Sequence, residues 1–94
     1  MFTLHVDMKL KTGSAELLRS TYHGAFRPAI SAQPGFVGVH LLRSRADQDS
    51  YRLVIAFKSE LDQQQWVATE LHQQVWPAME AHCAAIVVSA FDAL

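Results

Sequence analysis

A chain of 94 residues, half of them apolar and with a formal net charge of −1, has the composition of one globular domain. It carries no Lys/Arg run to suggest nucleic acid, no apolar run near the ~20 residues that span a bilayer, and an alternating start that is no signal peptide. The single Cys83 excludes an internal disulfide and a cysteine zinc cluster, so the expected setting is the cytoplasm.

Residues 2–10 read Phe-Thr-Leu-His-Val-Asp-Met-Lys-Leu, with Phe2, Leu4, Val6, Met8 and Leu10 apolar and every residue between them polar. Period two over such a stretch predicts a strand with one buried face. Lys11-Thr12-Gly13-Ser14 is a turn, and Ser14 or Thr12 can cap a following helix through its hydroxyl oxygen. Residues 15–32 place Leu18, Tyr22, Ala25, Phe26 and Ala29 on one side of that helix. Pro28 should kink it about one turn earlier, where its ring meets the preceding turn.

Gln33-Pro34-Gly35 ends the segment. Residues 36–45 and 50–58 then predict an antiparallel hairpin, joined by a loop of about four residues, Ala-Asp-Gln-Asp. Ser59-Glu60-Leu61-Asp62 is a capping box with Asp in place of Glu, opening a helix to about Val67. A second short helix spans roughly 70–81, strained at Pro77, and residues 85–92 form the last strand.

The order β-α-β-β-α-(α)-β predicts an α+β, ferredoxin-like domain: a four-stranded antiparallel sheet with helices on one face. Strand one is central and strand two lies beyond strand three. The other sheet face stays bare, and in a chain this small a second copy is the expected cover. The expected assembly is therefore a homodimer through the open sheet face.

At this point the landmarks resemble the antibiotic biosynthesis monooxygenase (ABM) family along essentially the whole chain. Lys11-Thr12-Gly13 is similar to the family's Lys-Pro-Gly turn. Gln33-Pro34-Gly35-Phe36-Val37-Gly38 is similar to its Glu-Pro-Gly-x-x-Gly, and Arg43-Ser44 with Asp47 and Asp49 to its Arg-Ser…Asp hairpin. Phe57-Lys58-Ser59-Glu60 resembles Trp-Glu-Ser-Glu, and Thr69-Glu70-Leu71-His72-Gln73 resembles Ser-x-x-His-Gln. The resemblance implies a dimeric α/β barrel with a pocket in each subunit between sheet and helices.

It also implies where chemistry should sit. The polyketide-oxidising branch uses an Asn and a Trp on strand three with neither metal nor flavin; Leu53 and Phe57 hold those positions here. The haem-degrading branch uses an Asn on strand one, a Trp on the second helix and a later His; Val6, Trp66 and Trp76 hold those positions.

Trp66 is the first candidate, as a wall that stacks on a planar ring, set against plain packing of helix on sheet. His72 and Trp76 are four apart and share a helix face. His72 can act as a general base or donate to a substrate oxygen, or be an exposed helix residue. Phe26 and Phe57 are expected beside the tryptophans, with Tyr22 as a polar contact and His23 in solvent. His5 and Asp7 share a strand face, and with His40 they suggest a two-His-one-carboxylate metal site. The strand order sets them about 10 Å apart, too far for one ion. No metal site is expected, and adjacent His82 and Cys83 read as a buried inert thiol beside a histidine.

Three readings follow. The leading one is a cofactor-independent monooxygenase of the ABM type acting on a small planar aromatic or quinol-like substrate, with His72 and Trp66 catalytic and Tyr22, Phe26, Phe57 and Trp76 binding. The alternative is a dimeric small-molecule-binding protein without turnover, and the third is haem degradation.

Overall fold

The computed structural model describes residues 1–94. Four strands, β1 (Phe2–Leu10), β2 (Phe36–Arg43), β3 (Ser50–Phe57) and β4 (Cys83–Asp92), form one antiparallel sheet in the order β2-β3-β1-β4. Between β1 and β2 the chain is helical through α1 (Ala15–Thr21), a π-turn (Tyr22–Phe26) and α2 (Arg27–Ser31). Between β3 and β4 lie α3 (Glu60–Val67) and α4 (Glu70–Glu80). This is the α+β, ferredoxin-like arrangement expected from the element order. No helix is long and apolar enough to cross a membrane.

Register turns the sequence alternation into two faces. Val6 pairs with Leu53 on one side and Val88 on the other, so these side chains share a face. Val6, Met8 and Leu10 are buried on it, as are Tyr51, Leu53, Ile55 and Phe57 from β3. Leu18, Tyr22, Phe26, Ala29, Ile30, Trp66, Val75 and Met79 close the core from the helix side. His5, Asp7, Arg52, Val54 and His40 lie on the opposite, open face.

Pro28 makes its mark as a π-turn rather than a simple kink. The ring would meet the carbonyl of Gly24, and Pro28 has no N–H to offer it. The chain widens instead: the Arg27 N–H donates to the Tyr22 carbonyl, a five-residue step. Ser14 occupies the α1 N-cap position but makes no side-chain cap bond. Its ψ of 0 is helical rather than extended, which takes the hydroxyl away from the first-turn amides.

The hairpin loop is also longer than expected. Strand pairing stops at Arg43, two residues early, because the Ser44 hydroxyl accepts from the N–H groups of Ala46 and Asp47 and bends the chain. Asp47 accepts from Lys9, the Asp49 N–H and the Ser50 hydroxyl, which hold its carboxyl down to about 2. At the other end, β4 starts at Cys83 rather than 85, since Leu10 pairs with Cys83 across a register shift.

Ser59 caps α3 as its motif predicts, accepting from the Asp62 N–H at 3.2 Å. The return arm differs. The shorter Asp62 carboxylate accepts from the Ser59 hydroxyl at 2.9 Å, where a Glu would reach the cap N–H. Asp62 also fills the space over Gly35, whose φ is +76 and whose absent Cβ would stand 2.3 Å from Asp62 Cγ. Gly35→Ala therefore combines backbone strain with a clash, and should lower stability by about 2 kcal/mol or more. A chemical-denaturation midpoint equal to wild type would show that neither constraint operates.

Candidate functional site

A cavity of about 170 Å³ lies between α3, α4, the π-turn and the core face of the sheet. Leu4, Val6, Ile55 and Val88 form its floor from three strands, and Phe26, Trp66, Val67 and Trp76 form its walls. Phe26 is the hub of the aromatic wall. Its ring meets Trp66 edge-on at 6.2 Å and Trp76 at the same distance, at 74° and 61°. Trp66 is 3% exposed and is the single buried residue of α3, so it both anchors that helix and bounds the cavity. The wall thus combines residues that the sequence places on three different helical segments.

Only two polar side chains, Gln63 and His72, line this space. The His72 ring stands nearly perpendicular to Trp66 at 5.0 Å. Thr69 places both: its hydroxyl oxygen accepts from the His72 N–H at 3.1 Å, and its O–H donates to the Trp66 carbonyl at 2.8 Å. The Thr-x-x-His spacing is thus a helix cap that holds the histidine against the preceding tryptophan. Burial pushes the His72 pKa below its usual value, so the ring is neutral at pH 7.

Its tautomer follows from Gln73. The Gln73 amide nitrogen donates to the Val67 carbonyl at 2.9 Å and sits 3.3 Å from His72 Nδ1. An amide nitrogen has a second hydrogen but no lone pair to offer, so Nδ1 is the acceptor and Nε2 carries the proton. Neutral His72 is accordingly a hydrogen-bond donor at Nε2.

This depressed pKa has a stability consequence. The unfolded chain protonates His72 near pH 6.5 while the folded chain resists, so its contribution is present above pH ~6.5 and is lost as pH falls through the folded value. The melting temperature should decline over that acid window in wild type and decline less in His72→Gln. Equal slopes would mean that the ring is as solvated folded as unfolded.

Two expected residues lie elsewhere. Phe57 is fully buried against Phe36, with ring centroids 6.0 Å apart, and does not reach the cavity. It follows Ile55 by two on the same strand face but sits one pair nearer the strand end, beyond the cavity floor. Tyr22 turns toward β2 and lines a separate cleft. Gln63 was not singled out in the sequence; its signal is the i, i+3 spacing to Trp66 on one helix face.

The remaining titratable pairs are occupied or apart. His5 and His40 both pair with Val54, which stands between them, and Asp7 accepts from Arg52 Nε at 2.7 Å. No three His, Cys, Asp or Glu residues come together as a metal cluster. His82 Nε2 meets the Thr21 hydroxyl at 3.2 Å, while Cys83 Sγ donates to the Met79 carbonyl. Burial, with Glu80 nearby, pushes the Cys83 thiol up and leaves it less reactive.

The family model described as antibiotic biosynthesis monooxygenase matches residues 1–84. The chain belongs to the ABM family. Solved structures repeat the fold closely at low identity. SnoaB from Streptomyces nogalater, described as a cofactor-independent oxygenase, superposes with a TM-score of 0.87 at 22% identity, covering 99% of this chain and 92% of that one. A protein from Nitrosomonas europaea, provisionally described as an antibiotic biosynthesis monooxygenase, gives 0.86 at 19% identity over 100% and 99% of the two chains. Another from Bordetella bronchiseptica, with the same provisional description, gives 0.89 at 17% identity over 99% and 96%. At these identities the likeness establishes the ABM fold. No curated protein matches the sequence.

Proposed function

We propose that this ABM protein is a cofactor-independent monooxygenase that binds a small planar quinol or phenol in the cavity beside Trp66. One observation carries the reading: Phe26, Trp66, Trp76 and the donor His72 converge on one space lined mostly by apolar side chains. Membership of the family and the described activity of SnoaB support it. Size narrows the substrate. An apolar cavity of about 150 Å³ holds a benzene ring, so 170 Å³ suits one ring or a compact pair. A four-pyrrole macrocycle is larger than this space, which argues against haem degradation.

In the proposed reaction a quinol and dioxygen give the hydroxyquinone and water. One oxygen atom enters the ring, the other leaves as water, and the quinol supplies all four electrons. The protein supplies no redox group to this scheme. It holds the ionised quinol between the aromatic walls, excludes water, and stabilises the oxyanion through His72 Nε2–H, with Gln63 as second polar contact. Of the two roles open to His72, the Gln73 contact favours donor over base; the substrate proton then passes to solvent.

Oxygen uptake with a panel of one- and two-ring quinols, without added metal or flavin, tests this. His72→Gln should lower kcat/KM by about 100-fold, the scale of losing an oxyanion donor. Uptake no faster than autoxidation for every quinol that binds would leave the second reading, binding without turnover. The full burial of Leu53 and Phe57, at the positions of the polyketide-oxidising pair, favours that alternative.

We also propose that the protein acts in the cytoplasm as a homodimer. Its open sheet face carries Val87 at 63%, Phe91 at 52% and Leu42 at 49% exposure, with Val54 beside them. Sedimentation at micromolar concentration should give twice the chain mass, and Val87→Glu should give a folded monomer. A wild-type monomer would refute the assembly.

A further inference from the structure

A second opening lies on the other side of the helical layer, between the α1–α2 segment and the edge strand β2. It is a cleft of about 460 Å³, larger than the aromatic cavity and quite different in chemistry. Arg19, His23 and Arg27 follow one another at four-residue steps along one wall, and Arg43 stands at the end of β2 opposite them. Tyr22 and Tyr51 lie among them. No Asp or Glu lines the cleft. Three of the five arginines in a chain of net charge −1 are therefore gathered in one concavity.

None of those three arginines is ion-paired within the fold. The two ion pairs present take Lys9 with Asp47 and Arg52 with Asp7, and neither involves Arg19, Arg27 or Arg43. Structural arginines of a small domain ordinarily pair or lie scattered, because like charges held together repel. Tyr51 adds an independent sign. It is 4% exposed, and its hydroxyl is buried without a hydrogen-bond partner. An unbonded buried hydroxyl costs free energy unless something outside the fold satisfies it. Tyr22 remains protonated, since burial raises its phenol more than the Arg27 charge lowers it. The cleft therefore offers guanidinium donors and the protonated Tyr22 phenol with no competing carboxylate.

We propose that the cleft between α1–α2 and β2 is a binding site for a small polyanion, held by Arg19, Arg27 and Arg43 and bordered by Tyr22 and Tyr51. Planar guanidinium groups recognise phosphate and carboxylate oxygens through paired N–H donors, so the ligand class is a phosphorylated or multiply carboxylated small molecule. The site shares no lining residue with the cavity of Trp66. Its occupant is separate from the planar substrate proposed above, and the inference stands whether or not that substrate is turned over.

Titration calorimetry of the intact protein in low-chloride buffer tests the site, with pyrophosphate, citrate and acetate as probes. Pyrophosphate or citrate should bind with a Kd below about 1 mM and raise the melting temperature, while acetate should do neither. Stronger binding of pyrophosphate assigns a phosphorylated ligand, and stronger binding of citrate a polycarboxylate. Arg27→Gln and Arg43→Gln, both at exposed positions that keep the fold, should each weaken binding about tenfold, and the double variant should abolish it. Lys58→Gln removes the same charge outside the cleft and should change affinity less than twofold. No binding of either polyanion, or an equal loss in Lys58→Gln and Arg27→Gln, would overturn the proposal. Quenching of Trp66 by a planar quinol should persist in Arg27→Gln, which keeps failure of this site distinct from failure of the other.

Discussion

Val6→Asp should leave the protein largely unfolded at 37 °C. Val6 is 4% exposed in the central strand β1, flanked in register by Leu53 and Val88. Every lining residue near it in the cavity is apolar except Gln63 and His72, and none carries a positive charge at neutral pH. An aspartate there is either an unpaired buried charge or a carboxylic acid with an elevated pKa. Both cost several kcal/mol. A domain of this length has about 5–14 kcal/mol in total, so one such loss consumes much of it. His5 lies one residue away on the opposite face, tilted against Phe91 at 4.7 Å. His5→Ala should alter association chiefly and leave monomer stability within about 1 kcal/mol. Circular dichroism through thermal melts separates the two outcomes. An unchanged melting temperature for Val6→Asp with a large drop for His5→Ala would reverse the faces of the sheet.

That contrast rests on the feature most legible in the sequence. Nine alternating residues fix which side of β1 is buried, because a one-residue slip would expose Val6, Met8 and Leu10 together. The Ser59 cap and the hairpin were legible for the same reason: short-range chemistry determines them. What escaped reading is one local hydroxyl bend and a set of contacts across the chain. The strand ends at Arg43 because of the Ser44 hydroxyl, and β4 starts early because Leu10 pairs with Cys83. Tyr22 and Phe26 share a helical face in projection. Yet they line different spaces, with the widened turn running between them. Phe57 could not be told from a pocket residue by alternation, since Ile55 lies on the same strand face and does line the cavity. The three cleft arginines were invisible as a group because they come from three elements and form no run.

Trp66 is where packing and function meet on one side chain, and its variants should separate them. The sequence set a core tryptophan against a pocket wall as alternatives, but the structure makes the residue serve in both positions. It is almost wholly buried, it is the only buried residue of α3, and one side of its indole bounds the 170 Å³ cavity. Trp66→Ala should therefore cost about 3–5 kcal/mol, because α3 loses its anchor and the cavity grows. Trp66→Phe keeps an aromatic contact with Phe26 and should cost about 1–2 kcal/mol. A ligand stacked on the indole adds a readout that stability does not give. Stoichiometric planar quinol should quench the wild-type fluorescence strongly. Trp66→Phe leaves Trp76 as the sole indole, and should show a smaller quench with weaker binding. Equal fractional quenching in wild type and Trp66→Phe, for each planar ligand that binds, would remove Trp66 from the site. A stability loss with unchanged binding would reduce it to an anchor for α3, leaving His72 and Trp76 to hold the ligand.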